Sequence, residues 1–221
     1  MDLTSFTPAS ALVTVILLAV APFIAVMVTS FTKIVVVLSL LRNALGLPQT
    51  PPNVVVNGLA LILSIYVMLP VGLEIESRLA ASGQTPSTAA RDTQRLLAAV
   101  DTVKEPLRAF LIKHASPRER GFFHKTAQRI AGPERAASIT ENDFIVIVPA
   151  FTVSELSSAF QIGFLIFLPF LVIDLVVSNV LLAMGMMMMS PVTVALPFKL
   201  LLFVLIDGWV KLVHGLVLSY H

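Results

Sequence analysis

The sequence predicts an all-α membrane protein with four apolar helical segments, paired as two helical hairpins around a small polar helical module. Of its 221 residues, 57% are hydrophobic and only 13% are charged, and its mean hydropathy is +0.91. An average soluble domain carries about 25% charged residues. The charge is also unevenly spread, since 20 of the 28 charged side chains lie between Glu74 and Asp143. The predicted boundaries are therefore 1–73, 74–143 and 144–221.

Composition excludes several classes of function. The net charge is only +2, and no run of Lys and Arg with interleaved aromatic residues indicates nucleic-acid binding. Without cysteine, the chain has no disulfide framework, thiol nucleophile or Cys-ligated zinc. It contains no phosphate-binding glycine loop, nucleophile elbow or zinc-protease motif, and its four histidines share no ligand spacing. We therefore expect no enzyme, no cofactor and no metal site.

The first hairpin begins with an uncharged stretch, residues 3–32. Residues 11–28 match the roughly 20 apolar residues that cross a bilayer, and Pro22 predicts a kink within them. A cleavable signal peptide is the competing interpretation. It is disfavoured because Asp2, and no Lys or Arg, precedes the segment, and because no clean small-residue cleavage site follows it.

A cluster of helix breakers predicts the first turn, and the uncharged residues 53–73 that follow are long enough for a second span. The breakers are Gly46, Pro48, Pro51 and Pro52.

The module at 74–143 contains two predicted helices. The first has an apolar face with alternating steps of four and three residues and a bend at Pro106. The second is expected over 117–131, because Ser116 and Glu119 are spaced as a capping box and Gly132-Pro133 is a stop signal. About 70 residues are few for an independent core, so the module is expected to lean on partners. The apolar face comprises Leu96, Val100, Val103, Leu107 and Phe110.

The second hairpin is predicted from three segments. Residues 154–189 form one very long helix or two, with Pro169 and Gly185 as places to bend. Residues 190–197, which contain two prolines, are expected to form the turn. Residues 198–219 are expected to form a single last helix.

Charged residues among apolar helices are costly and indicate function. With a turn near residue 193, Lys199 would lie level with Met188 and far from Glu155, so each is expected to find its partner in another subunit. Asp174 would lie near the level of Lys211 and could pair with it inside one chain. The alternative is that these groups are hydrated at helix ends.

Five of the eight methionines fall within six positions, at 184 and 186–189. Such clusters ordinarily fill gaps in a core. Consecutive residues, however, cannot share one helix face, and the run lies between Gly185 and the Ser190-Pro191 break. Repeated around a ring of subunits, Met186, Met187, Met188 and Met189 would make a deformable seal.

Orientation is predicted from the cations nearest the two turns. Lys33 and Arg42 lie by the first turn and Lys199 by the last, which puts both turns in the cytoplasm. The module would then be periplasmic. Lys211 argues weakly against this arrangement.

Two long segments resemble the SctR/FliP family of type III secretion export subunits. One is residues 30–46, SFTKIVVVLSLLRNALG, continuing to PPN at 51–53. The other is residues 160–174, FQIGFLIFLPFLVID, continuing to DGW at 207–209. The module resembles the family only loosely. Injectisome members are favoured over flagellar ones.

The resemblance implies a bacterial inner-membrane subunit within the basal body of a secretion system that serves virulence. It implies a ring of five copies with SctS-like and SctT-like partners, around a pore for unfolded polypeptides. It also implies that Met186, Met187 and Met188 form the family's methionine loop, with Met189 an additional candidate. Glu155 and Lys199 would form an inter-subunit ion pair.

A small ion channel or secondary transporter subunit is the main alternative function, with Asp174, Asp207 and Lys199 binding a coupling ion. Such proteins often contain inverted repeats, and the two hairpins are unlike. A purely structural scaffold is a third possibility.

Overall fold

The computed structural model describes residues 8–81 and 93–220, and these ranges form nine helices and no strand. The predicted all-α fold class is confirmed. The helices are α1 (Pro8–Val28), α2 (Phe31–Leu45), α3 (Asn53–Ala81), α4 (Thr93–His114), α5 (Pro117–Ala131), α6 (Pro133–Ala136), α7 (Phe144–Ala183), α8 (Pro191–Leu205) and α9 (Gly208–Leu218).

The end of α2 is a Schellman motif, in which backbone amides beyond the helix bond back to its last carbonyls. Gly46 has a positive φ of 80°, its N–H donates to Asn43 O, and the Leu47 N–H donates to Arg42 O. The turn that follows is held by the Arg42 guanidinium, which donates to Pro51 O at 2.9 Å and to Asn53 Oδ1 at 2.8 Å. This contact fixes where α3 begins.

Helix α5 has the predicted bounds, but the predicted capping box is wrong. The Ser116 side chain makes no capping hydrogen bond. Its backbone N–H, which Glu119 would have bonded, instead donates to Ser154 Oγ on α7 at 2.9 Å. In α4, the side chains of Leu96 and Val100 lie outside the described residues.

One compact unit comprises the described parts of Met1–Ser30 and Met68–Ser154. Its core forms where the end of α4 packs on the first turns of α7. Phe110 and Phe151 are buried with ring centroids 5.7 Å apart, and Leu111 and Ile147 are fully buried beside them.

The second compact unit comprises Phe31–Val67 and Glu155–His221. Its core includes Ile34, Leu38, Ala60, Ala159 and Leu216. The compact units do not coincide with the boundaries expected at 73 and 143. Polarity changes at those positions, but α3 and α7 continue through them, and each helix contributes one end to each unit.

The turn of the second hairpin lies earlier than expected. Helix α7 runs unbroken for 40 residues and ends in a second Schellman motif, with Gly185 at φ 73° and a bond from the Met186 N–H to Leu181 O. The turn therefore occupies residues 184–190, and the prediction of 190–197 is wrong. Pro191 begins α8, because the first helical position needs no N–H donor.

The prediction of one continuous last helix is also wrong. Helices α8 and α9 are bent by 61° at a break. Asp207 lies in this break with a positive φ of 53°.

Two described helices, α3 and α7, are long and apolar enough to cross a membrane. The number rises to four if each of two bent pairs forms one span. These pairs are Pro22–Val28 with α2, and α8 with α9.

Candidate functional site: the methionine turn and the buried ion pairs

The turn at 184–190, which we call the Met turn, presents its methionines to the surroundings. Met188 is fully exposed, and Met187 is 80% exposed. Met184, Met186 and Met189 are exposed to a lesser degree. Because Gly185 ends α7 and Pro191 begins α8, the five side chains lie off any helix face and make no core of their own.

Lys199 on α8 is buried and bonded within its own chain. Its ammonium donates to Asp174 Oδ2 at 2.7 Å and to Ala44 O at 3.2 Å, and only 2% of the residue is exposed. The expectation that Lys199 lacks a partner in its own chain is therefore wrong. The expected pairing of Asp174 with Lys211 is wrong as well.

The position of the turn explains this pairing. With Met187 as its centre, Asp174 lies 13 residues before the turn and Lys199 lies 12 residues after it. The two arms of this hairpin, α7 and α8, are antiparallel. Similar distances from the turn therefore bring the two side chains level, since each residue advances a helix by about 1.5 Å. A turn at residue 193 would have moved Lys199 to the level of Met188.

Lys199 also completes the end of α2. The Schellman motif satisfies the carbonyls of Arg42 and Asn43, and the ammonium satisfies that of Ala44. A cation at a helix C-terminus is favoured by the helix dipole. Asp174 Oδ1 is buried and has no hydrogen-bond partner among the described residues, so the carboxylate is held through one oxygen.

Glu155 likewise has partners in its own chain, and the expectation that it has none is wrong. Lys33 Nζ lies 3.6 Å from Glu155 Oε1, the Tyr220 hydroxyl donates to Glu155 Oε2, and Lys33 lies 4.2 Å from the centroid of the Tyr220 ring. Sequence reasoning gave Lys33 no pairing role and missed Tyr220. A lone cation in an apolar stretch was the available signal for Lys33, because such a charge needs a partner.

Asp207 and Lys211 join neither pair. Both are exposed, and they line different cavities of the second unit. The two acidic groups expected of a coupling-ion site thus have different roles. Asp174 is part of an ion pair, and Asp207 lies at a helix break. Among the described residues, no group of three or more His, Cys, Asp or Glu side chains could hold a metal ion.

Long apolar faces of α7 are uncovered. In its most apolar window only 11% of the residues are buried, and Phe164, Leu165 and Val172 are all more than half exposed. Monomeric soluble proteins rarely expose large apolar patches, so this surface requires lipid or other protein chains.

Comparison with known proteins finds similarity along nearly the whole chain. Residues 13–216 match the FliP family. The chain is 52% identical over 204 residues to the Yop proteins translocation protein R of Yersinia pestis, covering 92% of each chain. It is 50% identical over 212 residues to the hypersensitivity response secretion protein HrcR of Ralstonia nicotianae, covering 96% of this chain and 97% of the relative. Identity to the flagellar biosynthetic protein FliP of Pectobacterium carotovorum subsp. carotovorum is 45% over 202 residues, covering 90% of this chain and 74% of the relative.

Proposed function

The chain belongs to the FliP family, and from this premise we propose that it is a core subunit of a type III protein secretion export gate. Through this gate, unfolded polypeptides cross the bacterial inner membrane. The observation that carries the proposal is the match of residues 13–216 to the family. Greater identity to the secretion proteins of Yersinia and Ralstonia than to the flagellar relative supports an injectisome rather than a flagellum.

The subunit works as part of a ring with copies of itself, together with SctS-like and SctT-like partners. The uncovered faces of α7 support this assembly, because several exposed Leu, Val and Phe side chains favour burial by about 25 cal/mol per Å². The stoichiometry of five follows from the family resemblance alone.

Within the ring, the Met turn acts as the seal of the pore. Its side chains are exposed at the tip of a hairpin, and methionine has three rotatable bonds and no charge. Copies of the turn converging on one axis would exclude water and ions yet deform around a passing chain.

The polar module faces the periplasm, and the turns at 46–52 and 184–190 face the cytoplasm during insertion. Lys33 and Arg42 precede the first of those turns and Lys199 follows the second by nine residues, and as cations they support this orientation. All three are engaged in hydrogen bonds or ion pairs in the folded chain, so their influence belongs to the insertion step.

The mass of the complex tests the proposed function. The tagged protein is expressed with the other export components, solubilised gently and weighed by native mass spectrometry. A ring of several copies carrying small hydrophobic subunits is expected, together with loss of substrate secretion when this protein is deleted. A stable monomer that transports ions and does not support secretion would favour the transporter alternative.

A further inference from the structure

Three helices of the second unit converge on one buried ammonium group. Lys199 on α8 contacts Asp174 on α7 and the last turn of α2 at Ala44. Around this contact lies an apolar cluster that includes Leu41, Phe170 and Phe203. The ammonium therefore makes directional contacts at a place where the three helices otherwise meet through non-directional apolar packing.

We propose that Asp174 and Lys199 form a clamp that positions the Met turn for sealing. The proposal rests on the proposed function, since it assigns a role within that seal. Asp174 and Lys199 are positioning residues, which act through the turn and do not line the pore.

Beyond the pair, apolar burial of Leu181 on α7 and Ala195 on α8 holds the two arms, and such packing provides no directional contact. Between the pair and the Met turn, α7 and α8 border an apolar cavity of about 510 Å³. Its lining includes Val176, Val180 and Phe198. Within the described chain, no side-chain hydrogen bond joins the arms in this region. The Lys199 contact is thus the polar tie nearest the turn.

The clamp holds the Met turn at a defined position relative to the end of α2. The end of α2 is held by its Schellman motif and by the Arg42 contacts with Pro51 and Asn53. Helix α8 lies directly beside this end, since a Cβ at Gly46 would be 3.6 Å from Val192 Cγ1 and 4.0 Å from Lys199 Nζ. A hydrogen bond tolerates little displacement, so the ammonium sets the height of α8 relative to α2.

The deciding variant is the double substitution Asp174→Leu with Lys199→Met. Replacing a buried ion pair by apolar side chains is often neutral or stabilising. The Ala44 carbonyl loses its Lys199 donor, a single lost hydrogen bond that the fold and the ring are expected to survive. Without the directional contact, the Met turns no longer converge at one height. We expect normal ring yield and a resting ion conductance severalfold above that of the unmodified complex.

Conductance and ring yield are measured on the same preparations, with the exposed pair Glu74→Gln and Arg78→Gln as the matched control. That pair has the same 2.7 Å separation with both side chains 46% exposed, and its loss should change neither quantity. A ring that stays tight without the clamp overturns the proposal, and so does a double variant that fails to assemble, because the pair then serves folding.

A complex with Met186 to Met189 changed to alanine separates the clamp from the seal. If that complex leaks and the clamp variant does not, only the clamp is wrong. If neither leaks, the seal itself is wrong and the clamp falls with it.

Discussion

Every buried charged residue in the described chain has at least one polar partner. These residues are Lys33, Arg42, Glu155 and Lys199, and their partners lie in other helices or turns, from 9 to 155 residues away in sequence. A charge removed from water without a partner costs several kcal/mol. Pairing makes these residues tolerable in an apolar unit, and it also fixes which helices lie beside each other.

Position 208 likewise requires a particular residue, because a glycine there allows α9 to begin directly against an aromatic cluster. A Cβ at Gly208 would lie 2.2 Å from the Phe203 ring. That ring is 6% exposed and packs against Phe170 and Trp209, at centroid distances of 6.4 and 5.6 Å. The ring has little room to yield.

We therefore predict that Gly208→Ala destabilises the protein by about 1–3 kcal/mol, the usual cost of overpacking. Thermal unfolding of the solubilised protein, followed by circular dichroism, measures the change. Gly215→Ala is the control on the same helix, since nothing lies within 4 Å of its Cβ position. Equal melting temperatures for the two variants would contradict the prediction.

At the scale of elements, two glycines end the helices that precede the two turns. Gly46 and Gly185 both adopt positive φ in Schellman motifs, a conformation that costs other residues about 1 kcal/mol or more. Each turn is consequently sharp and starts at a defined residue. For the second hairpin this leaves the Met turn outside both helices.

Changing Met186, Met187, Met188 and Met189 to alanine is expected to open an ion leak while ring yield stays near normal. The side chains are exposed in the chain, so shortening them removes material from the pore and not from the core. Planar-bilayer conductance and native mass spectrometry on one preparation measure the two effects.

The control for this variant shortens two equally apolar and exposed side chains away from the turn. Val204 and Leu205 are 70% and 72% exposed, and their change to alanine should leave the conductance low. A packing role for the methionines predicts the reverse pattern, in which assembly collapses without a leak. Each buried Met to Ala change would then cost roughly 2–5 kcal/mol.

At the scale of the whole molecule, the chain joins apolar helices to one polar module that carries most of the charge. Our prediction is that the module is periplasmic and the first turn is cytoplasmic. The native chain has no cysteine, so a single introduced cysteine can be labelled without background from native thiols. Ala137 and Gln49 are suitable positions, because both are exposed and each lies in one of the two regions.

In intact spheroplasts, a membrane-impermeant maleimide should label Ala137→Cys and spare Gln49→Cys, whereas after lysis it should label both. The subunit is tested alone as well as in the complex, to separate sidedness from burial by partners. Reversed labelling would show that the orientation is inverted.

Much of the fold was determined by the sequence itself. The apolar segments, the breakers at 46–52 and the bounds of α5 follow from local rules of length, proline and glycine that act within a few residues. The family resemblance likewise rested on contiguous motifs at 30–46 and 160–174. Local chemistry of this kind is the same before and after tertiary packing.

Only the tertiary structure decided which charges meet. A shift of about six residues in the second turn, from 193 to 187, brings Asp174 level with Lys199, which the expected turn had left without a partner in its own chain. The break at Asp207 moved Lys211 off the line of α8. Glu155 found Lys33 and Tyr220 across 122 and 65 residues of sequence. Such pairings depend on helix register, and the register between two partners depends on the conformation of every residue that separates them. One misplaced turn therefore redirects every contact beyond it.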